Sequence, residues 1–354
     1  MSIFKCWPHD SPSSHISAQG KDLAPHAEED QEVLGELQWI KFVCSYGVCN
    51  TSLLTRVEHI LAQLRVAATA TALGSPSVAV MLLNCNSQVV AIGGGALTDF
   101  AGFIAATFKR GIRLTFVPTS LLAQVDASIG GKTAINFGNV KNLVGSFYVP
   151  NNVVICSSFL KTLDQQEYLN GLAEVIKHAF ITSDEEVNTI FSNIDKINQR
   201  DEKVLNETIK RSIKIKADFV IEDFEEKGRR KFLNFGHTFG HGIESSNLES
   251  PIFHGHSVVL GMMMAIKYSM RKKLLSEKNG SQAIELISSF NFDFSEIKLD
   301  PNEIFQFMKS DKKNQNSQIN LVLLKSFGEP VLYEEGNPSE LQNFIGDFVE
   351  EFRS

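Results

Sequence analysis

Val89-Val-Ala-Ile-Gly93-Gly94-Gly95-Ala-Leu-Thr-Asp99 decides the fold. The four apolar residues suit a strand, the three glycines a tight turn, and the residues from Thr98 to Phe108 a helix. Arg113-Leu-Thr-Phe-Val117 and Val153-Val-Ile155 repeat the strand texture. Strands alternating with helices imply a parallel sheet and an α/β domain. Upstream, Val78 to Leu83 predicts one more strand, and Leu53, Val57, Ile60, Leu61 and Leu64 mark an amphipathic helix.

Downstream the period changes. From about residue 166 apolar residues recur at helical spacing, as at Ile209, Ile213, Ala217 and Val220, and Val258 to Met264 suits a buried helix. The change falls near Leu163-Asp164. The expected organisation is a flexible tail over 1–30, an α/β N-terminal nucleotide-binding domain over 31–163, and a mostly α-helical C-terminal metal- and substrate-binding domain over 164–354. No internal repeat is visible.

Composition sets outer bounds. A chain of 354 residues can build two domains around a sizeable core. A net charge of −7 argues against nucleic acid as a partner, because phosphate neutralisation needs a basic surface. The five cysteines (Cys6, Cys44, Cys49, Cys85, Cys156) lack zinc-type pairing and read as reduced thiols. Val66 to Thr98 carries no charge, but Gly74-Ser-Pro-Ser77 and Asn84-Cys-Asn-Ser-Gln88 interrupt it before about twenty apolar residues accumulate, so no membrane span is expected. The first thirty residues, with Pro8, Pro12 and Pro25, contain no apolar run. No signal peptide and a cytoplasmic location are therefore expected.

The glycine turn at Gly93, Gly94 and Gly95 would let a diphosphate approach the backbone at a helix N-terminus. It lacks the G-x-G-x-x-G pattern, so alone it fits a structural turn equally well. Ser128-Ile-Gly130-Gly131-Lys132-Thr133 resembles the end of a P-loop, but Asp126 stands where that motif needs glycine. A triphosphate would be repelled there. Lys132 in a glycine-rich loop, with Lys141-Asn142 after it, suits a phosphate monoester.

Gly171-Leu-Ala-Glu174-Val-Ile-Lys177-His178 lies on a predicted helix, with Glu174 facing Lys177 and His178 across one turn. Its apolar flanks imply burial, and a buried carboxylate needs a cationic partner, which a divalent metal can be. Lys216, Arg230 and Asn234 could clamp a carboxylate, or Arg229-Arg230-Lys231 could be a plain basic turn. Between His237 and His256 lie four of the nine histidines. Helical spacing nominates His237 and His241 as joint metal ligands, with His254 or His256 as a third; structural core histidines would show the same spacing.

These motifs, in this order, resemble those of 3-dehydroquinate synthase. Gly93–Phe103, Arg110-Gly, Val117–Asp126, Gly130–Asn136, Lys141-Asn142, Gly171–Lys177, Leu233–His241, His254-Gly and Asp311-Lys312-Lys313 carry the likeness, from about Gln88 to Gly328. The resemblance implies an NAD-dependent, zinc- or cobalt-containing lyase of the shikimate pathway, converting DAHP into 3-dehydroquinate and phosphate. It implies Glu174, His237 and His254 as metal ligands, which moves His241 to a proton-handling role beside Lys177 and Asp126. Gly93, Gly94, Gly95, Asp99, Thr119, Ser120 and Lys141 would lie along NAD, with Lys132 serving both cofactor and substrate. Asn142, His241 and Lys312 or Lys313 would meet the phosphate, Arg110 would reach in from the second subunit of a homodimer, and Lys216, Arg230 and Asn234 would hold the carboxylate. The partner is then a small anionic sugar-acid phosphate.

Two departures stand out. The family places Glu after His-Gly where this chain has His256. The family's acidic strand end and its Pro-x-Gly-Glu-x-x-Lys motif are not found: Gly35-Glu36 has no lysine three residues on, and Asn50-Thr-Ser-Leu would put Asn in the lysine's place. Residues 1–87 therefore read as diverged. The competing readings are a metal-dependent polyol dehydrogenase, which would not need two anion clamps, and a cofactor-impaired non-catalytic relative.

Overall fold

A computed structural model of the chain describes residues 2–5, 40–41, 87–137, 140–248, 250, 252–310 and 318–353. It divides into two compact units, Met1–Pro118 with Gly131–Cys156, and Thr119–Gly130 with Ser157–Ser354.

The first unit holds strands β1 (Ser2–Lys5), β2 (Ile40–Lys41), β3 (Gln88–Gly93), β4 (Arg113–Pro118), β5 (Lys132–Phe137), β6 (Val140–Phe147) and β7 (Asn152–Ile155), with helix α1 (Gly95–Thr107) after β3. The main sheet runs β2-β1-β7-β4-β3. The expected parallel core is present: β3 pairs with β4 from Gln88↔Arg113 to Gly93↔Pro118, and β4 pairs with β7 in the same sense. Both carboxyl ends, Gly93 and Pro118, therefore lie side by side. Leu114, Phe116 and Val153 fill the core with Ala101 and Ala105 of α1. The helix starts three residues earlier than its composition predicts, because Gly94 in extended conformation already ends the strand.

Two readings are corrected here. Ser2–Lys5, expected in the flexible tail, adds antiparallel to β7, and β2 adds antiparallel to β1, so the sheet is mixed. Lys132 and Thr133, expected in a glycine-rich loop, open the antiparallel β5–β6 hairpin. The signal for it was the alternation of β-branched Thr133 and Ile135, and Thr133 Oγ1 donates to Ser146 O at 3.0 Å across the pair. The rest of the tail, the strand expected at 78–83 and the helix expected through Leu53–Leu64 lie outside the described residues, as do Lys312 and Lys313.

The second unit is helical: α2 (Gln165–Phe180), α3 (Asp184–Phe191), α4 (Ile194–Asn198), α5 (Glu202–Glu222), α6 (His237–Ser246), α7 (His254–Arg271), α8 (Glu277–Ser288), α9 (Pro301–Ser310) and α10 (Pro338–Arg353), with one hairpin, β8 (Ile319–Leu324) and β9 (Pro330–Glu335), before the last helix. Short polar side chains start α2, α3 and α5. Asp164, Ser183 and Asp201 accept the backbone N–H of Gln166, Glu186 and Val204. The apolar faces of α2, α5 and α7 are buried, including Ile176, Ile213, Val258 and Leu260.

Helices α6 and α7 come unusually close at Gly261. A Cβ added there would lie 2.0 Å from Gly236 O and 2.6 Å from Gly240 N. Thr119–Gly130 joins this unit rather than the sheet, which moves part of the expected nucleotide domain across the boundary drawn at 163. The segment is anchored by Lys216 of α5, which donates to Asp126 O at 2.7 Å, and by Arg230, which donates to Gly130 O at 2.9 Å. Among the described residues no helix is long and apolar enough to cross a membrane.

Candidate metal and substrate site

The site of the second unit is built on helix starts and one irregular turn. Glu174 sits in the middle of α2, while His237 and His254 are the first residues of α6 and α7. One donor atom from each of Glu174, His237 and His254 lies within 4.8 Å of the others. Those residues are 63 and 17 positions apart in sequence (237 less 174, 254 less 237), so only tertiary packing joins them.

The donor chemistry fits a divalent cation. Glu174 is 1% exposed, and its Oε1 accepts no hydrogen bond although His237 Nε2 stands 3.5 Å away. His237 Nδ1 donates to Phe235 O at 3.2 Å, and His254 Nδ1 donates to Glu244 Oε2 at 3.0 Å. A ring that donates through Nδ1 presents Nε2 as its lone-pair atom, and this carbonyl- or carboxylate-backed arrangement is how metal-binding histidines are held. Burial lowers the His254 pKa, but the hydrogen bond and charge of Glu244 outweigh it and the net shift is upward. His241 is outside the three-donor group. Its ring centroid lies 5.4 Å from that of His237 and 6.0 Å from that of His254, beside the donors on the same helix as His237.

A second group surrounds the first. Asp126 stands on a π-helical turn, Ala123–Ala127, of a kind that frequently marks functional sites. Lys216 Nζ lies 2.5 Å from Asp126 Oδ1, and Lys177 Nζ bonds Glu174 Oε2. Asp126, Glu174 and His178 also bring donor atoms within 4.8 Å, with Lys216 paired to Asp126 and Lys177 to Glu174. Burial pushes the Asp126 carboxyl up, yet Lys216 and then Lys177 pull it further down, well below the usual aspartate range. His178, fully buried with Nδ1 2.7 Å from Ser212 Oγ, is pushed far below its ordinary value by burial and the charge of Lys177, and stays neutral. Burial lowers Lys216 and Arg230 as well.

Arg230 is 3% exposed, which excludes the plain basic turn for it. Its guanidinium donates to Phe224 O at 2.5 Å and Gly130 O at 2.9 Å, and Asp223 accepts its backbone N–H. Asn234 donates to Glu226 Oε1 at 2.5 Å. His256 is buried with neither ring nitrogen hydrogen-bonded, against Phe253, Phe292 and Phe294. The phenylalanine surround makes a neutral ring fit where a carboxylate would be orphaned.

The other expected residues are placed as follows. Thr119 and Ser120 open the segment carrying Asp126, and Ser120 Oγ accepts the Ala123 N–H at 3.3 Å. In the first unit, Gly93–Gly95 form the turn at the carboxyl end of β3 and Asp99 is half-buried on α1. The α1 N-terminus carries no acidic residue in its first turn, which suits a diphosphate. Lys132 is exposed at the start of β5, and Lys141 lies in β6. Asn142 has φ 50° and its N–H donates to Asn136 Oδ1 at 3.0 Å. Arg110 is exposed with φ 66°. Sequence reasoning assigned no role to Glu244, Ser212 or Asn170, although Glu244 follows His237 by seven and Asn170 precedes Glu174 by four, which are same-face helical spacings.

Solved structures give the class. A 2-deoxy-scyllo-inosose synthase complexed with carbaglucose-6-phosphate, NAD+ and Co2+ is 27% identical, with a TM-score of 0.68 over 90% of this chain and 86% of that one. The 2-epi-5-epi-valiolone synthase of Streptomyces hygroscopicus subsp. jinggangensis, with NAD+ and Zn2+ bound, shares the fold at 23% identity and a TM-score of 0.71, over 82% and 79%. The fold is that of the sugar phosphate cyclases.

The family models of the 3-dehydroquinate synthase N-terminal and C-terminal regions match residues 70–170 and 171–314. Curated 3-dehydroquinate synthases from Francisella tularensis subsp. tularensis (43% identity, 73% of each chain) and Dehalococcoides mccartyi (41%, 70% of this chain and 69% of that one) align with it. The chain belongs to the 3-dehydroquinate synthase family.

Proposed function

We propose that this enzyme converts DAHP into 3-dehydroquinate and inorganic phosphate, using NAD and a zinc or cobalt ion held by Glu174, His237 and His254. The observation that carries the metal assignment is the buried Glu174 Oε1, which accepts no hydrogen bond and faces His237 Nε2 at 3.5 Å, beside two histidines already backed through Nδ1. When bound, the ion would polarise the alcohol to be oxidised, and NAD would take a hydride and return it after elimination. While the ketone exists the adjacent C–H is acidic, and loss of that proton would expel the phosphate from the next carbon.

The chain's own residues would do the rest. Arg230, Lys216 and Asn234 would hold the substrate carboxylate, so that a ligand with two anionic groups enters an acidic protein through a cationic lining. Asp126, kept ionised, would accept hydrogen bonds from ring hydroxyls, and Lys177 would donate to them. His241 would hand a proton to the departing phosphate, met by Lys132, Asn142 and Lys312 or Lys313. After elimination the same contacts would hold the opened chain in the conformer that closes by aldol addition. On this reading the enzyme works in the cytoplasm as a homodimer, with Arg110 serving the second subunit.

The test is phosphate release from DAHP by chelator-treated protein. Release is expected only with both NAD and Zn2+ or Co2+ added, without net NADH accumulation. Net NADH from a simple polyol would instead favour a dehydrogenase, and the absence of NAD-dependent release would sink the proposal.

A further inference from the structure

Two of the three candidate ligands owe their position to how a helix begins. The N-cap of α7, Phe253, has no side chain able to cap, so the first turn of the helix bearing His254 needs its acceptor from elsewhere. Asn170 supplies it. Its Oδ1 accepts the N–H of Gly255 at 2.6 Å, and its Nδ2 donates to Glu167 Oε2 at 3.2 Å. Asn170 is 6% exposed and sits one turn before Glu174 on α2.

The contact is also tight in space. A Cβ on Gly255 would fall 2.2 Å from Asn170 O and 2.7 Å from Asn170 Cα, so the two backbones touch here. A single amide thus ties the residue after His254 to the helix that carries Glu174. We propose that Asn170 is a positioning residue that sets the Glu174–His254 separation through the Gly255 N–H, and so determines the affinity of the metal site. The proposal rests on the metal reading above.

Chelator-treated protein titrated with Co2+, followed by visible absorption, tests this without turnover. Asn170→Ala is expected to weaken Co2+ binding by about 10-fold, the low end for losing an outer residue of a metal site, because Asn170 bonds the residue after His254 rather than the ligand itself. Asn170→Asp keeps the acceptor but sets a second carboxylate against Glu167, so the double variant Asn170→Asp/Glu167→Gln, which exchanges amide and carboxylate, is expected to restore affinity. Glu167→Gln alone should leave it unchanged. Far-UV circular dichroism and thermal unfolding of the metal-free variants report folding separately. Unchanged Co2+ affinity in a folded Asn170→Ala protein, or a lowered melting temperature with unchanged affinity, overturns the proposal. So does failure of the double variant to recover when it is folded. If the parent protein binds no Co2+, the metal reading itself has failed, a result distinct from any of these.

Discussion

Replacing Gly261 by alanine should disturb the mount of His237, although Gly261 itself carries no chemistry. The added Cβ would sit 2.0 Å from Gly236 O and 2.6 Å from Gly240 N, where real Cβ contacts begin at 3.0 Å. Helices α6 and α7 must then separate by at least 1.0 Å, the difference between 3.0 and 2.0 Å. The obstructing atoms are backbone, so no side chain can swing aside. Overpacking costs about 1–3 kcal/mol, with rigid backbone at the upper end. Alanine's helix propensity returns about 1 kcal/mol, leaving a net loss of about 2 kcal/mol.

For a unit of this size that is roughly 4–8 °C in Tm. The displacement matters more to the site, since His237 follows Gly236 directly and metal–ligand distances tolerate only about ±0.2 Å. Urea unfolding by circular dichroism and Co2+ titration should show both losses. Gly346→Ala is the control, because that α10 glycine has nothing within 4 Å of an added Cβ, and a gain of about 0.4–1 kcal/mol is expected there. A Gly261→Ala protein as stable as its parent with unaltered Co2+ affinity would refute the close-packing argument.

Lys216→Met should cost about 3 kcal/mol at pH 7, the low end for breaking a buried pair because the Asp126 carboxylate is partly exposed. The loss should shrink in acid. A carboxylate held below its ordinary value gives stability that is complete above about pH 3.9 and lost as pH falls through its folded value. Urea unfolding of both proteins at pH 7 and pH 3 checks this, and an equal gap at the two pH values would contradict it. Arg230→Lys keeps the charge but cannot serve Phe224 O and Gly130 O together in the same fork. One charge-assisted bond is lost, about 1.5–3 kcal/mol of stability, and the altered fork should raise KM for DAHP with a smaller change in kcat; steady-state kinetics with the parent's KM would exclude Arg230 from holding the carboxylate.

The β3–turn–α1 unit was legible because its signals are local: an apolar run, glycines and a helix composition meet within eleven residues, Val89 to Asp99. The β5–β6 hairpin was not, since glycines and lysines around Lys132 read as a loop while the weak alternation of Thr133 and Ile135 settled the strand. At the site, Glu174 announced itself by its apolar flanks. The histidines did not sort themselves by spacing. His237 and His241 share a helical face, yet the donor group pairs His237 with His254, because α7 is brought back against α2 and α6 by contacts at Gly255 and Gly261. Helical period describes one helix; a donor group drawn from three helices depends on how they pack together.

The buried charges of the second unit are poorly explained by stability. Glu174, Lys177 and Lys216 are all at least nine-tenths buried, and Asp126 is paired among them. Buried ion pairs contribute little net stability against apolar replacements of the same volume, while removing one partner is costly. A fold selected only to persist would replace such a cluster with leucine and methionine, as α7 does over Val258–Met264. The surrounding devices also serve the cluster rather than the core: a π-helical turn aims Asp126, Ser212 backs a neutral His178, and Glu244 backs His254. Local rules are broken where charges converge and obeyed elsewhere in the unit, which is the pattern expected of a site whose geometry is maintained at the expense of packing.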